Sequence, residues 1–239
     1  CKIIHVLAIV MSPGTDLEQR IAAFHDRAVA SPHHRYRSWE HCYGFFRSRT
    51  RDSLLKDKDA AALHLGFYLA SWGMYRGSSF LLQRSYTVHV AVVEGLVSPE
   101  LAPLWETDVG CVESDTALVP TILRAVDVVK GAYAPFGAAT DTLATKVILG
   151  TLGCLPAVDR FFIDGFKKAG NRYSYLNGIF VKRVILFCAE FSGRLRAEQD
   201  RIERVSGIRY PLMKLADMYY WEIGYEAALS AGAGLEPSE

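Results

Sequence analysis

From Asp16 to Leu229 apolar residues recur three and four positions apart, and the alternation that marks a half-buried strand is nearly absent, so the chain is expected to be all-α. Thr15 or Asp16 can cap a first helix carrying Leu17, Ile21, Phe24 and Ala28, which Ser31-Pro32 ends. A second follows from about Pro32, with Tyr36, Trp39, Tyr43 and Phe46 in one stripe. After an arginine-rich link from Arg47 to Lys56, a central helix is expected over residues 63 to 82, turning at Gly77-Ser78-Ser79 into another from Phe80 to Val97. Ser98-Pro99-Glu100 reads as a helix start, with a capping serine, a proline in the first turn and an acid at the positive end of the dipole. Further helices are expected near 117–132, 141–153 and 156–168, a long one from Tyr175 to about Arg204, and a last one opened by Tyr210-Pro211.

That pattern predicts nine or ten helices in one compact domain over residues 11–230. The acidic stretch from Glu106 to Asp115 carries Gly110 and little periodicity, which makes it an exposed loop or a hinge between two helical halves. Met11 reads as the natural start, with residues 1–10 as an upstream extension, and residues 231–239 as a fraying tail. No stretch reads as a membrane span, because His64, Arg76 and Gln83 interrupt or bound the most apolar run.

With 239 residues, half of them hydrophobic, the chain can bury a substantial core. Its formal charge of +1 supplies no global field toward nucleic acid or an anionic membrane, so such binding would need a local patch. Seven Lys and Arg against three acids lie between His33 and Lys58, and Arg35, Arg37, Arg47 and Arg49 are the candidate phosphate contacts there. Taken alone, the same block also fits a solvated helix face. Five scattered cysteines show no zinc or redox spacing and fit reduced thiols in a cytoplasmic protein, with Cys42, Cys154 and Cys188 as core residues. No metal or cofactor is expected.

The central segment sorts into two stripes of different chemistry. Gly66, Ala70, Gly73 and Gly77 fall on one side, and His64, Tyr68, Ser71 and Tyr75 on the other, with Trp72 and Arg76 beside them. A helix apolar enough to be buried then carries polar groups inward, where neighbouring helices or a ligand must satisfy them. His64, Tyr68 and Tyr75 are expected to be at least partly buried and hydrogen-bonded together. Tyr86 and His89 are further polar groups in apolar company.

Phosphate-binding glycine loops, paired metalloprotease histidines and nucleophile elbows are missing from the sequence. The stretch PFGAATDTLATKVILGTLGCLPAVDRFF, residues 135–162, has a glycine-bearing turn, a helix of about a dozen residues and a Pro-Ala-Val-Asp entry into the next helix. It resembles the core of the helix-hairpin-helix DNA glycosylases. The resemblance implies a hairpin that grips a DNA phosphate and an aspartate that promotes loss of a flipped base. By it, Asp159 takes the aspartate position and Gly137 lies in the hairpin turn. Thr140 stands where bifunctional members carry a lysine, Lys146 lies 13 residues before Asp159, and the hairpin lacks the family's second glycine. Apart from the resemblance, Asp159 reads as a first-turn carboxylate that can pair with nearby Arg160, and Lys146 as a snorkelling surface residue. The closing YPLMKLADMYYWEIG resembles the last helix of uncharacterised glycosylase-like bacterial proteins.

Three readings follow. The first is a DNA-associated protein with a glycosylase-like core, active or binding-only. The second is a non-enzymatic helical module with a protein partner, and the third a small-molecule enzyme built around His64, Tyr68 and Tyr75. If the basic residues share one face with the hairpin, duplex DNA is the partner favoured.

Overall fold

A computed structural model describes residues 16–232, so residues 1–15 and 233–239, which include the upstream extension and most of the tail, lie outside the described residues. Twelve α-helices run in chain order: α1 (Leu17–Val29), α2 (Arg37–Arg47), α3 (Arg51–Lys56), α4 (Lys58–Ser71), α5 (Val90–Leu96), α6 (Ala102–Glu106), α7 (Val119–Tyr133), α8 (Asp141–Thr151), α9 (Arg160–Lys168), α10 (Gly178–Glu190), α11 (Ser192–Ser206) and α12 (Leu212–Ser230). Short 3-10 turns begin at Phe80, Tyr86, Pro99 and Glu113, and no strand occurs among the described residues. The all-α expectation holds among the described residues, and the count of nine or ten helices is corrected there to twelve.

The extra elements have local causes. The expected central helix stops at Ser71, because Gly73 adopts φ +74 just past the cap residue Trp72. There the N–H of Met74 donates to Leu69 O and that of Gly73 to Ala70 O, which is a Schellman stop. The helix expected from Phe80 to Val97 is instead two 3-10 turns and a short α5, since Ser79 and Ser85 each turn their hydroxyls onto the backbone two residues on. The long helix from Tyr175 bends at Phe191, ahead of Ser192-Gly193, and becomes α10 and α11.

Replacing Gly73 by Ala should therefore cost about 1 to 2 kcal/mol through the left-handed backbone rather than through overpacking. The three atoms nearest to such a Cβ belong to the Arg76 side chain. A thermal melt of Gly73→Ala indistinguishable from the parent would refute this.

α12 lies at the centre. Twelve of its nineteen residues are buried, including Met213, Lys214, Asp217, Tyr220 and Trp221, and α9, α1, α10 and α11 surround it. Against α9 the approach is backbone to backbone: Gly165 faces Tyr220 O and Gly224 faces Phe161 O. The second group is built on α4, which packs on α2, α5 and α8, with α7 closing on α5 and α8. The stripes read from the sequence at α1 and α2 are all buried. In the acidic stretch, Asp115 accepts from Gly110 and Val112 N–H, and Asp108 accepts from Leu212 N–H and from Gln199. Cys42, Cys154 and Cys188 are buried free thiols, and burial pushes all three up. Among the described residues no helix is long and apolar enough to cross a membrane.

Candidate functional site

The hairpin joins α7 to α8 through residues 134–140. Phe136 N–H and Gly137 N–H both donate to Tyr133 O, and Gly137 has room only for hydrogen because the Phe80 ring lies where a Cβ would be, 2.6 Å away. Thr140 caps α8 by accepting from Leu143 N–H at 3.2 Å. Helical spacing then puts Thr142, Thr145 and Lys146 on one face of α8, turned toward the segment that leads into α9.

That segment is pinned residue by residue. Thr145 Oγ1 accepts from Val158 N–H at 3.0 Å, Thr142 Oγ1 donates to Val158 O at 2.9 Å, and Asp217 Oδ1 on α12 accepts from Ala157 N–H at 3.0 Å. Asp159 follows as the N-cap of α9. Its Oδ1 accepts from Phe162 N–H at 3.1 Å and its Oδ2 from Lys146 Nζ at 3.0 Å. The Lys146 side chain is 4% exposed and that of Asp159 18%, so Lys146 is not a snorkelling surface residue and Asp159 keeps an open edge. Arg160 lies over Phe161 instead of pairing with Asp159.

Aromatic rings wall this ion pair. Lys146 Nζ lies 4.9 Å from the centre of the Trp72 ring, Trp72 stacks on Tyr36 at 4.8 Å, and Tyr36 stacks on Phe24 at 5.0 Å. A second buried pair sits behind. Lys214 Nζ bonds Asp217 Oδ2 at 2.8 Å and lies over Phe24, Trp39 and Trp72 at 4.7, 5.2 and 5.6 Å. Burial pushes the Asp217 carboxyl up, Lys214 opposes that, and Asp159 adds to it. Two ammonium groups and two carboxylates thus meet around one indole, at the junction of α1, α2, α4, α8, α9 and α12.

On the hairpin side of this cluster runs a groove of about 600 Å³. Gly73, Arg76, Ser78 and Ser79 line one bank, and Thr140 and Thr142 the other. Thr142 belongs to both groove and cluster through its bond to Val158.

No family model, no curated protein and no solved structure matches the chain. The site must therefore be read from its own chemistry.

The sequence-derived candidates divide sharply. Asp159, Lys146, Thr140 and Arg76 fall at the cluster or its groove, and Gly137 lies behind Phe80, itself a groove residue. His64, Tyr68 and Tyr75 do not meet. His64 stacks on Phe45 at 3.9 Å, Tyr68 is buried against Gly150 of α8, and Tyr75 bonds His89 Nε2 at 2.6 Å. The other nitrogen of His89 bonds Tyr133 at 2.6 Å, so the hydrogen-bonded group is Tyr75, His89 and Tyr133. Ser71 donates to Phe67 O within its own helix. The four arginines go to different partners: Arg35 lies over Tyr36 and Trp72, Arg37 pairs with Glu40, Arg47 covers Trp105 and Arg49 covers Phe45. Of the four, Arg35 is the one against the aromatic wall of the cluster. Lys214 and Asp217 were not singled out in the sequence; their signal is a lone lysine and a lone aspartate three apart in an otherwise apolar helix start.

Proposed function

We propose that the protein is a DNA-associated enzyme of glycosylase type, in which Asp159 acts on a flipped nucleotide. The observation that carries this reading is the carboxylate of Asp159, held at the start of α9 by Phe162 N–H and Lys146, partly open, and one residue from the segment that Thr142 ties to the hairpin groove. The groove's arginine, hydroxyls and helix start suit a backbone phosphate. Of the stacked Phe24, Tyr36 and Trp72 rings the first two are buried, and the half-buried Trp72 is the one a planar base would meet. As the carbon-nitrogen bond to the base stretches, positive charge grows on the sugar, and a fixed carboxylate beside it lowers the barrier because its orientation needs no reorganisation. Lys146 holds that orientation. With each of these arginines already against a ring or a carboxylate and a net charge of +1, affinity rests on few phosphate contacts and declines with salt.

Asp159→Asn should lower base release by about 10² to 10³-fold, since the amide keeps size and one acceptor but loses the charge, while binding to duplex DNA changes little. The assay is parent and variant side by side on duplexes carrying uracil, hypoxanthine, alkylated or oxidised bases. A parent inert on every duplex removes the catalytic reading.

A second reading, the interaction module, is favoured by one observation: Leu63 and Phe67, one turn apart on α4, are 50% and 61% exposed. Gel-filtration or cross-linking evidence of a protein complex that Phe67→Ser abolishes would bring it forward.

A further inference from the structure

We infer that Asp217 is a positioning residue for Asp159, acting from α12 through the backbone of residues 157 to 159. The inference deepens the catalytic reading above and rests on it for its kinetic consequence. The carboxylate of Asp159 can face the groove side of the cluster only if the chain turns sharply into α9, and it does so with Asp159 N–H donating to Ala157 O at 2.9 Å. Three side chains hold that turn, two of them threonines on α8 and the third Asp217. Asp217 is the one that ties the turn to the other half of the cluster. Its side chain is 5% exposed, one oxygen taking Ala157 N–H and the other the Lys214 ammonium, so both are committed.

The anchor itself cannot drift. α12 meets α9 with no side chain between them at Gly165 and Gly224, so Asp217, two turns ahead of Gly224, is fixed relative to the helix that Asp159 caps. Burying a lysine-aspartate pair among Phe24, Trp39 and Trp72 is a poor route to stability, because desolvation of both charges offsets their attraction and apolar residues of similar size would serve as well. What an apolar pair could not supply is an acceptor for Ala157 N–H at a fixed point.

The test uses the full chain with Asp217→Asn, which keeps the acceptor oxygen, and Asp217→Leu, which does not. Three measurements are made: hydrogen exchange of the Ala157 amide, the carboxyl ¹³C chemical shift of Asp159, and the kinetics, kcat and KM, on the duplex from which the parent releases a base. Asp217→Leu should lose Ala157 protection, move the Asp159 signal and lower kcat at least tenfold with KM within twofold; Asp217→Asn should restore all three to near the parent. Equal loss in both variants, or an unmoved Asp159 signal in Asp217→Leu, overturns the inference. If Asp217→Leu does not fold, the scalar coupling across the hydrogen bond from Ala157 N–H to the Asp217 carboxyl in the parent decides, and its absence overturns the inference too. A parent that releases no base ends the catalytic reading, while the exchange and chemical-shift measurements still decide whether Asp217 holds Asp159.

Discussion

Gly165→Ala is expected to melt about 10 °C or more below the parent, corresponding to roughly 4 kcal/mol for a chain of this size. A Cβ at position 165 would stand 1.7 Å from Tyr220 O and 2.8 Å from Gly224 N. Both are backbone atoms, so no rotamer change relieves the contact, and α9 and α12 must separate. Separation loosens the rings that interleave there, Phe162 and Phe166 against Tyr220 at 5.6 and 5.0 Å and Phe161 against Trp221 at 5.0 Å. Ordinary overpacking costs about 1 to 3 kcal/mol because neighbours yield; here they cannot. Gly224→Ala, whose Cβ would lie 2.0 Å from Phe161 O, should behave alike. Gly131→Ala in α7 is the control, with nothing within 4 Å of its Cβ, and should match or slightly exceed the parent. A Gly165→Ala melt within 2 °C of the parent would contradict the backbone contact.

The second large effect is acid lability between pH 6.5 and 4. His89 is fully buried, with Tyr75 and Tyr133 on its two nitrogens, and burial lowers its pKa from 6.5 to about 4. His25 is lowered to about 4 as well, chiefly by burial with help from Arg201 and Arg37 and against Asp26, and neither of its ring nitrogens has a hydrogen-bond partner among the described residues. Below pH 6.5 the unfolded chain binds protons that the folded chain refuses. Stability is therefore full above pH 6.5 and falls as the pH drops toward 4. For His89 alone the loss is about 2 kcal/mol at pH 5 and about 3 below pH 4. Urea denaturation at pH 7 and pH 5 reads it directly: His89→Gln should start less stable than the parent yet lose about 2 kcal/mol less across that interval. Equal losses in parent and variant would show that His89 does not titrate as described.

Helix faces were legible in the sequence where one residue pattern has one physical outcome. The stripe from Tyr36 to Phe46 is a case of this kind, because periodicity is local, whereas Asp159, expected within the first turn, is the N-cap ahead of an α9 that starts at Arg160. Gly73, expected inside a helix over residues 63 to 82, is ambiguous for a local reason too: it falls on a small-residue stripe, and only its left-handed backbone marks it as a helix stop. The α9–α12 contact was out of reach, since Gly165 and Gly224 are 59 positions apart and neither means anything until the other is known to face it. The site divided the same way. Asp159 and Lys146 were visible as candidates, but their pairing needs the fold of residues 152–159, and Lys214 and Asp217 acquire a role only when α12 is seen to run past the start of α9. The expected union of His64, Tyr68 and Tyr75 failed for two reasons: the chain turns at Gly73 and carries Tyr75 to His89, and within α4 His64 goes to Phe45 while Tyr68 goes to Gly150.

The glycine contact between α9 and α12 also divides the site mechanically. Asp159 and Asp217 ride on helices locked at the backbone and form, in effect, a stator. Lys146, Trp72 and the 73–79 bank of the groove belong to α8, α4 and the turns after it, where contacts run through side chains instead. The bond from Lys146 to Asp159, with those of Thr142 and Thr145 to Val158, is then a clasp across that seam, made by three side chains of one helix face where α9 and α12 meet backbone to backbone.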